Sequence, residues 1–209
     1  MKSLKGFLME GARELYYKDQ FQEWNKTKWN HSPVAVGWLD GRTNQAKRFE
    51  TLVDIGIESG DSVLDVGCGV GHLTEYLNNI GLEVKYTGVD TNRFAIEQAQ
   101  KIYVNETFIH GTLDDIDETY DWGLASGVFN LEFPKLEMLE TLKQLISKVD
   151  KGVAFNLLNG EHSNSSSTRN YEYYQPVEIF TALNRRGALC SVVEDYGIEN
   201  DFTIYIRKQ

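Results

Sequence analysis

Residues 63–71 read Val-Leu-Asp-Val-Gly-Cys-Gly-Val-Gly, an apolar run with one carboxylate inside it that ends in three glycines at alternate positions. Glycine at this spacing lets backbone pass close to a bound molecule with no Cβ in the way. Asp65 precedes the first glycine by two residues, and a second acid, Asp90, closes the run Tyr86-Thr87-Gly88-Val89-Asp90, 25 residues after Asp65. One strand–helix–strand unit needs about that interval, and a carboxylate ending its second strand can accept hydrogen bonds from both hydroxyls of a ribose. The chemistry on offer is recognition of a nucleoside by a glycine bend and a diol-binding acid.

The elements that must carry these residues follow from periodicity. Helical apolar spacing alternates with short β-branched runs from residue 43 onward, the pattern of a parallel sheet flanked by helices, so the expected class is α/β. Helices are expected at 44–57 (Phe49, Leu52 and Val53 on one face), 70–79 (Leu73, Tyr76, Leu77 and Ile80), 92–102 (burying Ala95, Ile96, Ala99 and Ile102), 134–149 (Leu136, Leu139, Leu142, Leu145, Ile146 and Val149) and 176–185. Strands are expected at 62–66, 84–89, 106–110, 120–126, 152–158, 187–194 and 202–207. The last two leave no room for a helix between them, so they must pair antiparallel. The fold is expected to be a doubly wound, mostly parallel sheet closed by a C-terminal antiparallel hairpin. Residues 1–42 are expected to form a helical, aromatic arm, a candidate cover for the active site, ahead of the ligand-binding domain at 43–209.

Two kinds of cofactor could use the bend. A dinucleotide needs a third glycine in G-x-G-x-x-G so that its pyrophosphate can sit on the helix N-terminus, and counting from Gly67 and Gly69 that position is His72. Asp65 is poorly suited to an anion and well suited to a cation, such as the amino group of a methionine moiety. The D-x-G-x-G-x-G run, the acid ending the next strand and the terminal hairpin together resemble the class I S-adenosylmethionine-dependent methyltransferase family, from about residue 50 to the C-terminus. That resemblance implies a seven-stranded, Rossmann-like sheet with S-adenosylmethionine as methyl donor and S-adenosylhomocysteine as product. It places Gly67, Cys68, Gly69 and Gly71 around the methionine and ribose, Asp65 near the amino group, Asp90 on the ribose hydroxyls and Thr91 against the adenosine. Thr112 and Leu113 fall in the adenine-contacting segment. Many members carry an acid where Thr112 stands, which leaves Leu113 chiefly as an apolar wall. Ser126 and Gly127 end the fourth strand, where the family sets cofactor and substrate side by side.

Other residues weigh less. Cys68, flanked by glycines, reads as a small packing residue rather than a nucleophile. His72 and His110 each stand alone and read as structural or exposed. Arg48 is either a clamp on the cofactor carboxylate or a solvated helix-face arginine. Neither Cys68 nor Cys190 sits in a CxxC or at metal-ligand spacing with His31, His72, His110 or His162, so no metal site is expected. The Ser-rich stretch at 159–170, followed by Tyr171, Tyr173 and Tyr174, is either a solvated loop or a lid.

Composition bounds the acceptor. The net charge is −10, split as +3 over residues 1–50 and −13 over the remainder, so the body repels a phosphate backbone and nucleic acid is disfavoured as a partner. No segment has the apolar length of a secretion leader or a membrane span, and cysteine is scarce, so a cytoplasmic protein, monomeric or weakly dimeric, is expected. After the fourth strand the chain reads Ser126-Gly127-Val128-Phe129-Asn130, without the Asn/Asp-Pro-Pro-aromatic motif of base amino-methylating enzymes, and neither cysteine follows a proline. Tyr16, Tyr17, Phe21, Trp24, Trp29 and Trp38 of the arm are candidate walls of an apolar pocket, and Asn130 is a candidate acceptor-orienting group. These features favour a small-molecule acceptor. An RNA or protein methyltransferase, or a non-catalytic cofactor-binding regulator, remains the alternative.

Overall fold

A computed structural model describes residues 41–130, 134–162, 171–184 and 189–208. Its elements run α1 (Gly41–Val53), β1 (Ser62–Val66), α2 (His72–Asn79), β2 (Lys85–Asp90), α3 (Arg93–Ile102), β3 (Thr107–His110), β4 (Tyr120–Ala125), α4 (Lys135–Ser147), β5 (Val149–Leu158), α5 (Pro176–Asn184), β6 (Leu189–Val193) and β7 (Asp201–Arg207). The seven strands form one sheet in the order β3-β2-β1-β4-β5-β7-β6. β1 pairs in parallel with β2 and β4, whereas β7 runs antiparallel to both β5 and β6. The doubly wound sheet and its antiparallel end are therefore as the residue pattern requires.

Alternation along the strands divides the core in two. Leu64, Val66, Val89, Phe155, Phe202 and Ile204 face one side and pack with Met138, Leu142 and Leu145 of α4 and Ile179 of α5. Val63, Tyr86, Trp122, Leu124, Ala154 and Tyr205 face the other and pack with Phe49 and Leu52 of α1, Leu73 and Leu77 of α2, and Ile96 and Ala99 of α3. Consecutive strand residues point to opposite faces, so the central strands, covered on both sides, read as unbroken apolar runs. Strand order reverses between β1 and β4, which opens a crevice beyond their carboxyl ends, where sheets of this kind bind ligands.

Several boundaries and faces differ from expectation. α1 stops at Val53 rather than 57, and Gly56 takes φ +121° in the turn that follows. α2 starts at His72 because Gly71 sits in the left-handed region, φ 82°. α4 ends at Ser147, since Val149 already pairs with Tyr120 as the start of β5. Ile80, Ile102 and Leu136, expected on buried faces, are exposed at helix ends. Residues 1–40 of the expected arm, residues 163–170 of the Ser-rich stretch, residue 185 of the last expected helix and residues 187–188 of the sixth expected strand lie outside the described residues.

Candidate functional site

The glycine bend leaves β1 at Val66 and is folded onto β2, with the N–H groups of Gly67 and Cys68 both donating to Val89 O at 2.8 and 3.2 Å. Gly67, Gly69 and Gly71 have φ of 70°, 56° and 82°, a region that side chains with a Cβ avoid. Two of these glycines also make room for protein. A Cβ on Gly67 would lie 2.5 Å from Val128 Cγ2, and one on Gly71 would lie 2.9 Å from the Tyr103 ring. Cys68 is buried with its sulfur over Gly88, where a Cβ would meet Sγ at 2.7 Å; burial, and then the nearby Asp90 and Asp65 carboxylates, push its thiol well above the usual range. It is a packing residue.

The two acids differ in surroundings. Asp90 accepts from Gly69 N–H at 2.8 Å and from Asn92 N–H at 2.7 Å, so it ties the bend to the start of α3. Each carboxylate oxygen has two lone pairs, which leaves capacity for further donors. Burial pushes its carboxyl above the ordinary value, and those two backbone donors act in the opposite direction. Asp65 is 3% exposed and accepts from Tyr86 O–H at 2.6 Å. Burial raises its carboxyl to about 7; the Tyr86 bond opposes this and the Asp90 charge adds to it. A buried carboxyl with so little compensation favours a cation as its partner.

Beyond β2, Thr91 is exposed and its carbonyl accepts from His110 Nε2 at 3.1 Å. Thr112 caps the short turn Leu113–Asp115, its hydroxyl accepting from Asp114 N–H while Asp115 Oδ2 accepts from Thr112 N–H at 2.8 Å. Leu113 is buried in the core packed against α4, on the side that carries Ile116 and Leu142. His72 is buried, its Nδ1 3.2 Å from Gln45 Nε2 of α1.

At the ends of β4 and β5, Gly127 N–H donates to Asn156 Oδ1 at 2.7 Å. Asn130 is 7% exposed, its Oδ1 accepting from Leu158 N–H at 3.2 Å and its carbonyl from Glu172 N–H at 3.0 Å. These bonds fasten Asn130 to the end of β5 and to the chain at 172. Among the described residues, the buried side-chain polar atoms with no partner are Thr74 Oγ1, Ser126 Oγ and Asn156 Nδ2.

Arg48 is not the solvated helix-face arginine of one of the two expected readings. It is 4% exposed on α1 and its Nε donates to Asp201 Oδ2 of β7 at 2.6 Å, in a pair that Tyr196 O–H joins through Asp201 Oδ1. The partner stands 153 positions away, and nothing local announces it. Tyr86 and Asn156 escaped the sequence reading, although Asn156 interrupts the apolar run Val153-Ala154-Phe155-Asn156-Leu157-Leu158, a sign of a polar group with a use.

The arrangement can take a nucleoside that carries a charged amino-acid tail. The left-handed bend, an acid with spare lone pairs at the end of β2, a buried acid suited to a cation, and orphaned donors at the ends of β4 and β5 all fit S-adenosylmethionine. The residues from 57 to 201 match the family model described as a methyltransferase domain. Rv1506c of Mycobacterium tuberculosis, whose name assigns it as a methyltransferase, is 32% identical over 158 residues, 70% of this chain and 93% of that one. The mitochondrial ubiquinone biosynthesis O-methyltransferase of Schizosaccharomyces pombe is 29% identical over 134 residues, 60% of this chain but 45% of that protein, so the chain spans less than half of it. In fold, the magnesium protoporphyrin IX methyltransferase of Synechocystis, solved with bound S-adenosylmethionine, superposes with a TM-score of 0.69 at 17% identity over 95% of both chains. The chain belongs to the class I S-adenosylmethionine-dependent methyltransferase family.

Proposed function

We propose that this chain is a catalytic methyltransferase whose acceptor is a small molecule bound beyond the ends of β4 and β5. The observation that carries the reading is the bend itself: Asp90 fixes Gly69 while keeping lone pairs free at the carboxyl edge of the sheet, beside the switch between β1 and β4.

S-adenosylmethionine, when bound, supplies an electrophilic methyl group on a sulfonium. The residues that would hold it are Asp65, Gly67, Cys68, Gly69, Gly71, Asp90, Thr91, Thr112, Leu113, Ser126 and Gly127. Of these, Asp90 offers acceptors to sugar hydroxyls and Asp65 an acceptor to an ammonium group. Thr112 contributes by shaping the turn rather than by its hydroxyl, which is engaged in the cap. Displacement at carbon is in-line, so much of the work of these side chains is orientation and exclusion of water. Phe129, fully buried, and Asn130 follow β4, and the Asn130 carboxamide oxygen, accepting from Leu158 N–H, ties this turn to the end of β5.

The small-molecule acceptor is supported by the relatives named for a porphyrin and for ubiquinone biosynthesis, by the absence of a base-methylation motif after β4, and by the net charge of −10. That charge disfavours nucleic acid as partner. No described helix is long and apolar enough to cross a membrane, and a cytoplasmic monomer or weak dimer is part of the same proposal. Incubation with labelled methyl donor and, separately, a metabolite extract, bulk tRNA and a protein lysate tests the reading. Label is expected in the metabolite arm. Label confined to tRNA or to protein would overturn the acceptor class, and none in any arm would overturn catalysis.

A further inference from the structure

The tight helical turn Val128–Asn130, which follows β4, is held from several directions. Phe129 is fully buried, and its ring meets that of Phe155 in β5 edge-on, with centroids 5.9 Å apart and an interplanar angle of 89°. Asn130 Oδ1 accepts from Leu158 N–H at 3.2 Å. A further hold comes from the chain beyond the Ser-rich stretch: Tyr174 O–H donates to Phe129 O at 3.0 Å, and Glu172 N–H donates to Asn130 O at 3.0 Å.

Tyr174 stands at the junction of these pieces. Its N–H donates to Leu158 O and its carbonyl accepts from Gly160 N–H, both at 2.9 Å, so its backbone is locked to the chain leaving β5 while its side chain reaches the turn after β4. The bond to Phe129 is buried, where solvent does not replace a lost partner. The other end of the turn meets the glycine bend, because Val128 Cγ2 lies 2.5 Å from where a Gly67 Cβ would stand. A short run of contacts therefore leads from Tyr174 through Phe129 and Val128 to Gly67. With the nucleoside over the bend and the acceptor beyond β4 and β5, this run lies between the two reactants. In-line displacement tolerates little error there, since a misplacement of about 1 Å can cost about a hundredfold in rate.

We infer that Tyr174 is a positioning residue for methyl transfer: its hydroxyl, through the Phe129 carbonyl, seats the turn after β4 against the glycine bend and so sets the approach of acceptor to donor. The inference rests on the catalytic reading proposed above and adds a residue that acts on the geometry of transfer without holding either reactant.

The test uses the full chain, labelled S-adenosylmethionine and whichever acceptor pool takes label from the wild type, with the rate followed against donor concentration. Tyr174→Phe removes the hydroxyl and keeps the ring. Its maximal rate per folded molecule is expected to fall about tenfold or more, with the KM for the donor within about threefold of wild type. A purely structural role would instead lower the thermal midpoint and leave the rate of the folded molecules unchanged. Val128→Ala, at the other end of the run, is expected to slow transfer as well, and the double variant to be less than about threefold slower than the slower single variant, because both act through one turn. Should Tyr174→Phe not fold, Val128→Ala reads the rate and the donor KM alone, with the same expectation. A maximal rate within twofold of wild type, a donor KM that rises as steeply as the rate falls, or independent, multiplying losses in the double variant would each overturn the inference while wild-type turnover keeps the catalytic reading. Wild type that labels no pool would overturn both.

Discussion

Asp90 Oδ2 receives the backbone N–H of Gly69 at 2.8 Å, so the acid expected to hold the ribose also holds the turn over which the ribose would lie. Binding and architecture are joined in one carboxylate. Asp90→Ala therefore removes acceptors from Gly69 and Asn92 as well as from the ligand. S-adenosylhomocysteine affinity should fall at least about tenfold, and the apo protein should lose about 1–3 kcal/mol of stability. Calorimetry and denaturant unfolding measure the two losses separately, and unchanged affinity would take Asp90 out of the site.

Gly67 illustrates a different constraint. An alanine there would carry a Cβ at φ 70° and meet Val128 Cγ2 at 2.5 Å. The left-handed backbone costs about 1–2 kcal/mol and the overlap about 1–3 kcal/mol more. Val128→Ala in the same chain should recover the overlap but not the backbone cost, so the double-mutant cycle should be non-additive. Additive unfolding energies would show that the two side chains do not meet.

Asp65 should make cofactor binding depend on pH. Its carboxyl is raised to about 7, chiefly by burial, so the apo protein is favoured by this group at low pH and loses that contribution as pH rises from the ordinary carboxylate range through 7. A bound ammonium favours the ionised form. Affinity for S-adenosylhomocysteine should thus climb as pH rises toward 7 and then level off, with proton release on binding below 7. Tyr86→Phe removes the hydrogen bond that opposes the rise and should shift the climb to higher pH. Titration in buffers of different ionisation enthalpy reads the proton directly; heats independent of buffer at pH 6 would contradict the assignment.

Arg48 and Asp201 couple α1 to β7. Their side chains are 5% and 0% exposed, and removing one partner from such a pair costs about 3–5 kcal/mol because the other charge is stranded. Arg48→Met should lower the unfolding midpoint sharply and leave S-adenosylhomocysteine affinity near wild type in the folded fraction. A selective loss of affinity with full stability would favour the clamp role instead.

The alternation of strands and helices and the closing hairpin could be read from the chain because burial on both faces leaves apolar runs, and because Val193 and Asp201 are too close for a crossover; the strand order could not. The bend and its two acids were legible for the same local reason, a fixed spacing along one strand–turn–helix unit. What the sequence could not convey was who meets whom at distance. The glycines at 67 and 71 read as room for a ligand, yet Val128, Tyr103 and Phe108 occupy much of that room. Arg48 read as a ligand clamp or a surface residue because Asp201 enters its surroundings only when β7 inserts beside β5. Leu136 and Ile102 fit the helical period, but each sits at a helix end that the sheet does not cover.

A crystal of the chain grown with S-adenosylhomocysteine tests the central claim most directly. The ribose hydroxyl oxygens should lie within about 2.5–3.0 Å of the Asp90 carboxylate, with the nucleoside over the Gly67–Gly71 bend. A ligand seated elsewhere on the sheet edge, or a nicotinamide dinucleotide retained at the bend, would contradict it.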